Sequence, residues 1–281
     1  MKKNEAPNLE VHTVSGFGHQ WKRFRQTRLD RTESDLLFRR YFSMFPWDNL
    51  PVEALGFDLG CGSGRWAKHV APRVESLHLI DASAHALGVA RENLSLYSNC
   101  MFHQASVENI PLAHGSMDFG YSLGVLHHVP DTQAALNSCA RCLKPGAPFL
   151  VYLYYRFDNR PWWYRSLWQV SDVLRRMIAR LPFRFRALCA DTLAAFVYWP
   201  LSRLARLAEI CGLRVQNFPL ASYRVLSFYT LRTDALDRFG TRLEQRFTRA
   251  EIAKMMEHAG FEKVRFSESE PYWCALGFRK P

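Results

Sequence analysis

Between residues 54 and 155, short apolar runs alternate with amphipathic segments. Residues 54–59, 76–80, 100–104, 117–122 and 147–154 each predict a strand, the last strongly apolar. The segments between them predict helices. One opens at Gly64 and ends before Pro72. One is N-capped by Ser83 and runs to about Leu96. A third is capped by Asp131 or Thr132 and closed by Lys144-Pro145-Gly146. Repeated strand–helix alternation predicts a parallel sheet covered by helices on both faces.

The rhythm stops at residue 156 and resumes near residue 241. Thr248-Arg-Ala-Glu251 is a capping box ahead of a helix ending at Gly260. Two apolar runs follow, 261–266 and 272–278, read as an antiparallel edge hairpin. The predicted fold is therefore α/β: a doubly wound, mostly parallel seven-stranded sheet with an antiparallel C-terminal hairpin. Residues 51–155 and 241–281 build this core. Residues 156–240 form a helical cap insertion, with helices predicted over 161–181, 187–199 and 201–211. Residues 1–50 form a leader in which 30–41 has helical spacing at Leu36, Leu37 and Phe38; Pro46 and Pro51 mark the entry to the core.

The length, 281 residues, suits one large domain or a domain with an insertion. Hydrophobic residues make up 48%, which excludes general disorder. Seven cysteines in so long a chain do not make a disulfide scaffold. No apolar run approaches the roughly 20 residues of a membrane span. The first residues, Met-Lys-Lys-Asn-Glu, lead into no apolar segment of a secretory signal, so a cytoplasmic protein with reduced cysteines is expected.

Net charge is +11 and unevenly placed. Residues 1–40 carry nine basic and five acidic side chains, 41–155 six and nine, 156–225 twelve and four, and 226–281 ten and eight. All twelve cations of 156–225 are Arg, interleaved with twelve aromatics that include Trp162, Trp163, Trp168 and Trp199. The basic character thus belongs to the leader and the cap, and the core is slightly acidic.

The sharpest motif is Asp58-Leu59-Gly60-Cys61-Gly62-Ser63-Gly64, between a predicted strand and a predicted helix. Alternate glycines let backbone turn tightly and approach a ligand without Cβ clashes, and a loop feeding a helix offers free N–H groups. A Gly-rich turn without a ligand reads the same way in isolation. Asp81, ending the second strand, adds the acidic partner of a nucleoside crevice at the carboxyl edge of the sheet.

Here the chain resembles the class I S-adenosylmethionine-dependent methyltransferases, with a Rossmann-like sheet, in particular the small-molecule branch related to ubiquinone/menaquinone methyltransferases. The matching blocks occur in order: Phe57 to Gly64; Leu79-Ile-Asp81-Ala-Ser83; Ser106-Val-Glu-Asn-Ile-Pro111 with Met117-Asp-Phe119; Gly124-Val-Leu-His-His-Val-Pro-Asp131; Leu143-Lys-Pro-Gly146; and Phe247-Thr-Arg-Ala-Glu-Ile with Ala259-Gly-Phe261. The resemblance covers about 54–155 and 241–281. It implies S-adenosylmethionine as cofactor and S-adenosylhomocysteine as product. Asp58 would orient the loop and the methionine ammonium. Gly60, Cys61, Gly62 and Gly64 would bring backbone to the methionyl part. Asp81, followed by Ala82, would accept from both ribose hydroxyls. Ser106 and Val107 would flank the adenine, Ser106 standing where many relatives have Asp. Leu123 and Gly124 would line the pocket beneath the methyl group.

A sulfonium methyl is already activated, so alignment and exclusion of water are the protein's main tasks. A base is needed only for a nucleophile protonated at neutral pH. His127 and His128 are the catalytic candidates; a structural role is the competing reading. Tyr152 and Tyr154 are candidates for the acceptor pocket, with Tyr155 on the opposite strand face. Trp21, in Phe17-Gly-His-Gln-Trp21-Lys-Arg-Phe24, resembles the aromatic of leader segments that cover the cofactor in methyltransferases of glycan or lipid-linked pathways; the start of a surface helix is the plainer reading. No metal is expected: Cys139-Ala-Arg-Cys142 lies within a helix and has no second pair.

The expected acceptor is a small molecule or a lipid- or glycan-linked metabolite. Three readings of 156–225 remain open: a lid over the substrate, peripheral contact with an anionic membrane at its inner face, and nucleic-acid binding. The last is the least favoured, since no RNA-binding module is visible. An RNA methyltransferase and a catalytically silent cofactor-binding partner are the alternative functions. Oligomeric state is not legible in the chain.

Overall fold

The computed structural model describes residues 8–27 and 29–281. The opening Met-Lys-Lys-Asn-Glu, and with it the reading of a signal segment, lies outside the described residues.

Two helices precede the sheet, α1 (Val11–Arg23) and α2 (Arg31–Tyr41), capped by the Glu10 and Asp30 carboxylates. The core then runs β1 (Leu55–Leu59), α3 (Ala67–Val70), β2 (Ser76–Asp81), α4 (Ala84–Asn93), β3 (Cys100–Gln104), β4 (Phe119–Leu123), α5 (Thr132–Cys142) and β5 (Pro148–Tyr152). The segment between β5 and the last helix, expected as a cap, carries α6 (Trp162–Ile178), α7 (Phe183–Leu193), α8 (Trp199–Ile210) and α9 (Phe228–Gly240). The core closes with α10 (Arg249–His258), β6 (Phe261–Phe266) and β7 (Cys274–Arg279).

The seven strands form one sheet in the order β3-β2-β1-β4-β5-β7-β6. β1 to β5 pair in parallel; β7 pairs antiparallel with both β5 and β6. β4 is buried along its whole length, as the apolar run implies. The predicted caps are present: the Ser83 hydroxyl accepts from the Ala86 amide, the Asp131 carboxylate from Ala134, and the Thr248–Glu251 box is complete.

Two elements differ from expectation. Helix α9 is absent from the sequence reading. Its apolar residues Leu231, Ala235, Leu236 and Phe239 are buried in the core, and its polar residues Asp234, Asp237 and Arg238 line a cavity where solvent would be expected. The second cap helix begins at Phe183, one turn earlier than residue 187, because Pro182 starts a helix as readily as it stops the one before. A π-helical turn, Ala194–Tyr198, joins α7 to α8.

Parallel pairing puts the carboxyl ends of β1, β2, β4 and β5 on one edge, and the strand order reverses between β1 and β4. Ligands in open α/β sheets bind at such a reversal. Helix α1 lies across this edge against α4. A Cβ on Gly18 would stand 2.8 Å from the Ser83 hydroxyl.

Candidate functional site

A cavity of about 340 Å³ occupies that edge. Leu59, Asp81, Leu123 and Tyr152, the last residues of four parallel strands, all line it. Helices α1, α2 and α9 and the segment between β5 and α6 complete its walls.

At one end the glycine loop turns with φ of +78° at Gly60 and +54° at Gly62, backbone that side chains rarely adopt. A Cβ on Gly60 would meet Val125 at 2.4 Å, so the position is closed to larger residues. Asp81 fastens the loop. Its Oδ2 accepts from the Gly62 amide at 2.9 Å and its Oδ1 from the Ser83 amide at 2.8 Å. Each oxygen keeps a further lone pair, and the carboxylate lines the cavity. Burial raises its pKa, opposed by these two amides. Ala82 and Val107 supply apolar wall beside it.

Trp21, from α1, lies over the loop. Its indole stands 2.9 Å from where a Gly62 Cβ would be, and it lines the cavity. The loop is thereby closed from outside by an aromatic.

Other expected residues sit elsewhere. Asp58 is fully buried behind the loop beside the Tyr121 hydroxyl and does not line the cavity. Burial pushes its carboxyl up to about 8, so at neutral pH it is largely protonated. Gly62 and Gly64 shape the loop without lining the cavity, and Ser106 also lies off it, leaving Val107 as the wall residue of that pair. Gly60 and Cys61 do line it.

His127 and His128 separate in the same way. His127 is fully buried and does not line the cavity; its ring stacks on Tyr154 at 3.9 Å. Burial holds its pKa well below the usual value, with neither ring nitrogen hydrogen-bonded among the described residues. His128 lines the cavity. Its Nδ1 is 2.6 Å from the Leu243 carbonyl and so carries the proton, leaving Nε2 as a free acceptor. Burial lowers its pKa to about 4, so the ring is neutral.

The far end of the cavity is polar, and the sequence reading missed most of it. Asp234 and Asp237 project from one face of α9. The Tyr154 hydroxyl donates to Asp237 Oδ2. Burial raises both carboxyls to about 6, with Arg65 the principal cation opposing it for Asp234 and the Tyr154 hydroxyl for Asp237. Tyr41 and Tyr152 meet edge to face at 5.2 Å and form part of the wall with Tyr223. The only available signal was the i, i+3 spacing of two acids in an insertion. Among the described residues, no group of His, Cys, Asp and Glu is arranged to hold a metal ion.

Residues 57–151 match the family model described as a methyltransferase domain. An O-methyltransferase of Pyrenophora dematioidea is 36% identical over 94 residues, 32% of this chain and 35% of that protein. The ubiquinone biosynthesis O-methyltransferase of Sodalis glossinidius is 38% identical over 92 residues, 32% of this chain and 36% of that protein.

Residues 57–151 of this chain carry a methyltransferase domain.

The matched region thus spans little more than a third of the length of these curated relatives. Human N-acetylserotonin methyltransferase, solved in complex with S-adenosylmethionine, aligns over 98% of this chain and 60% of its own with a TM-score of 0.54. At 18% identity that is a likeness of fold. The methyltransferase core carries the glycine loop, Asp81, Leu123 and His128. Trp21, Asp234 and Asp237 come from α1 and α9, outside the matched region.

The site fits the cofactor this family uses. Asp81 offers free lone pairs toward the cavity, Gly60 and Cys61 put backbone on its wall, and Ala82 and Val107 give the apolar flank an adenine needs.

Proposed function

We propose that the protein transfers a methyl group from S-adenosylmethionine to an oxygen of a small-molecule or lipid- or glycan-linked acceptor. One observation carries this reading. A single cavity joins the Asp81 end to a tyrosine- and carboxylate-lined end. Cofactor and acceptor can therefore meet without passing through solvent. The O-methyltransferase names of the relatives support oxygen as the nucleophile.

When bound, the cofactor supplies a methyl group activated by its sulfonium. The chain's residues do the rest. Asp81 holds the ribose hydroxyls. Gly60 and Cys61 bring backbone carbonyl groups to the methionyl part, their N–H groups being held by the Ile80 carbonyl. Trp21 excludes water from the loop side. Tyr41, Tyr152 and Tyr154 orient the acceptor, and alignment of its nucleophile supplies most of the rate.

Two groups on the cavity wall can take a hydroxyl proton, His128 through Nε2 and Asp237. A base works best with a pKa near the working pH. Asp237, at about 6, meets that condition better than His128, at about 4. Asp237 is therefore the proton acceptor in this reading, and His128 a neutral wall group. His127 has no route to the acceptor through the cavity.

In this reading the protein works in the cytoplasm, at the inner face of the membrane when its acceptor is lipid-linked. Among the described residues, no helix is long and apolar enough to cross a membrane. Calorimetry with S-adenosylhomocysteine tests the first half of the reading. One equivalent bound supports it, and no binding refutes it. Tritiated methyl appearing in RNA in place of the small-molecule fraction refutes the second half.

A further inference from the structure

Helix α6 is amphipathic the wrong way round for a helix facing water. Its buried side carries charge. The Arg175 Nε donates to Asp172 Oδ1 at 2.6 Å, and the Arg175 guanidinium reaches the Thr241 carbonyl at 2.9 Å. Arg175 is only 4% exposed. Its outer side is apolar: Trp163, Leu167, Val170, Leu174, Met177 and Leu181 follow at three- and four-residue intervals, all exposed, Val170 to 70%. A surface helix of a soluble domain does the reverse. The next two cap helices repeat the feature. Phe185 and Leu188 are exposed on α7, and Leu204, Leu207 and Ile210 on α8.

The charge around these faces is of one sign. Arg165, Arg180, Arg184, Arg206 and Arg214 are exposed, and none is in an ion pair among the described residues. The one exposed acid of α6 to α8, Glu209, is taken up by Arg224 at 2.7 Å. We propose that the outer face of the cap docks on an anionic phospholipid surface, apolar side chains entering the acyl boundary and arginines meeting the headgroups. Three features favour lipid over other occupants. A second copy would set these arginines against themselves in a two-fold contact. Nucleic acid would not use a row of Leu, Val, Met and Ile. No cap helix crosses a bilayer, so the contact is peripheral.

The docked face also adjoins the cavity. Arg160 and Tyr164, at the start of α6, line the cavity wall, while the neighbouring Trp162 and Trp163 are exposed. An acceptor with an apolar tail would pass from the lipid boundary to Tyr154 and Asp237 along the first turn of α6. That consequence rests on the methyltransferase reading; the docking itself does not.

Flotation with vesicles tests the docking without turnover. The full chain should float with phosphatidylglycerol–phosphatidylcholine vesicles at low salt and lose at least tenfold in binding on pure phosphatidylcholine or at high salt, each arginine contributing roughly fivefold. The triple variant Leu167→Ser, Val170→Ser, Met177→Ser should lose at least tenfold on anionic vesicles. Those side chains contribute little to packing, so the thermal shift with S-adenosylhomocysteine should match that of the unmodified chain if that chain shows one. Failure to float at low salt overturns the proposal. So does equal flotation with neutral vesicles, a triple variant that floats like the wild type, or a dimer in light scattering that leaves the vesicles empty. A chain that floats yet shows no cofactor shift keeps the docking and removes the methyltransferase reading.

Discussion

The Asp81 carboxylate accepts the Gly62 amide through one oxygen and the Ser83 amide through the other, at 2.9 and 2.8 Å. One side chain at the end of β2 therefore fixes both the glycine loop and the first turn of α4. Asp81→Ala removes this brace and the ribose acceptor together. Calorimetry with S-adenosylhomocysteine should show a loss on the order of 1–3 kcal/mol. Asp81→Asn, which keeps the shape and one acceptor, should lose less. Unchanged affinity in Asp81→Ala contradicts the ribose assignment.

Gly60 makes a sharper demand. With φ at +78° and Val125 at 2.4 Å from an added Cβ, Gly60→Ala should cost about 1–3 kcal/mol in backbone strain, with contact added. Thermal denaturation should show the lower stability, and cofactor affinity should fall with it. Adding Val125→Ala relieves the contact but not the dihedral, so recovery should be partial. Full recovery would show that the contact alone mattered.

Trp21 covers the loop from α1, and Trp21→Ala opens it. Affinity for S-adenosylhomocysteine should drop about tenfold, with the fold retained by circular dichroism. In the wild type, ligand binding should change tryptophan fluorescence, and the variant should lose most of that change. A variant with wild-type affinity places Trp21 outside the cofactor's cover.

The two wall groups titrate with opposite consequences. His128 falls from 6.5 to about 4 on folding because burial penalises the cation. Its contribution to stability is present above about 6.5 and is lost as pH falls toward 4. His128→Asn should flatten that acid limb of the thermal-stability profile. Asp237 rises from 3.8 to about 6. Its contribution is present at low pH and is lost as pH climbs through 6. For turnover the sign reverses, because the base must be ionised: rates should fall below about pH 6. Asp237→Asn should remove at least a hundredfold in rate while leaving S-adenosylhomocysteine affinity within twofold. A rate loss confined to His128→Asn would return the base to the histidine.

Much of the core was legible because each local signal agreed with the global fold. Buried parallel strands are mostly apolar, as in 119–123, and the helices start at Ser83, Asp131 and Thr248, whose side chains cap visibly. The glycine loop and Asp81 were legible because their spacing encodes a turn only glycine makes. The acceptor end was not. Asp234 and Asp237 look like solvent-facing acids in a sequence, and only the placement of α9 over the strand ends turns them inward. His127 and His128 are indistinguishable in one dimension. Their short 3-10 turn sends one ring against Tyr154 and the other to the cavity. The apolar stripe of α6 is visible in its three- and four-residue spacing, but not that it faces outward, because charge on the opposite side is normally the solvated face.

Transfer itself is the most direct test. The full chain, incubated with S-adenosylmethionine carrying a deuterated methyl group and a cell extract freed of nucleic acid and protein, should yield S-adenosylhomocysteine and a labelled small-molecule or lipid product in equal amounts. Asp81→Ala should yield far less of both. Cofactor bound with no labelled product in any fraction, or label confined to added RNA, would contradict the assignment.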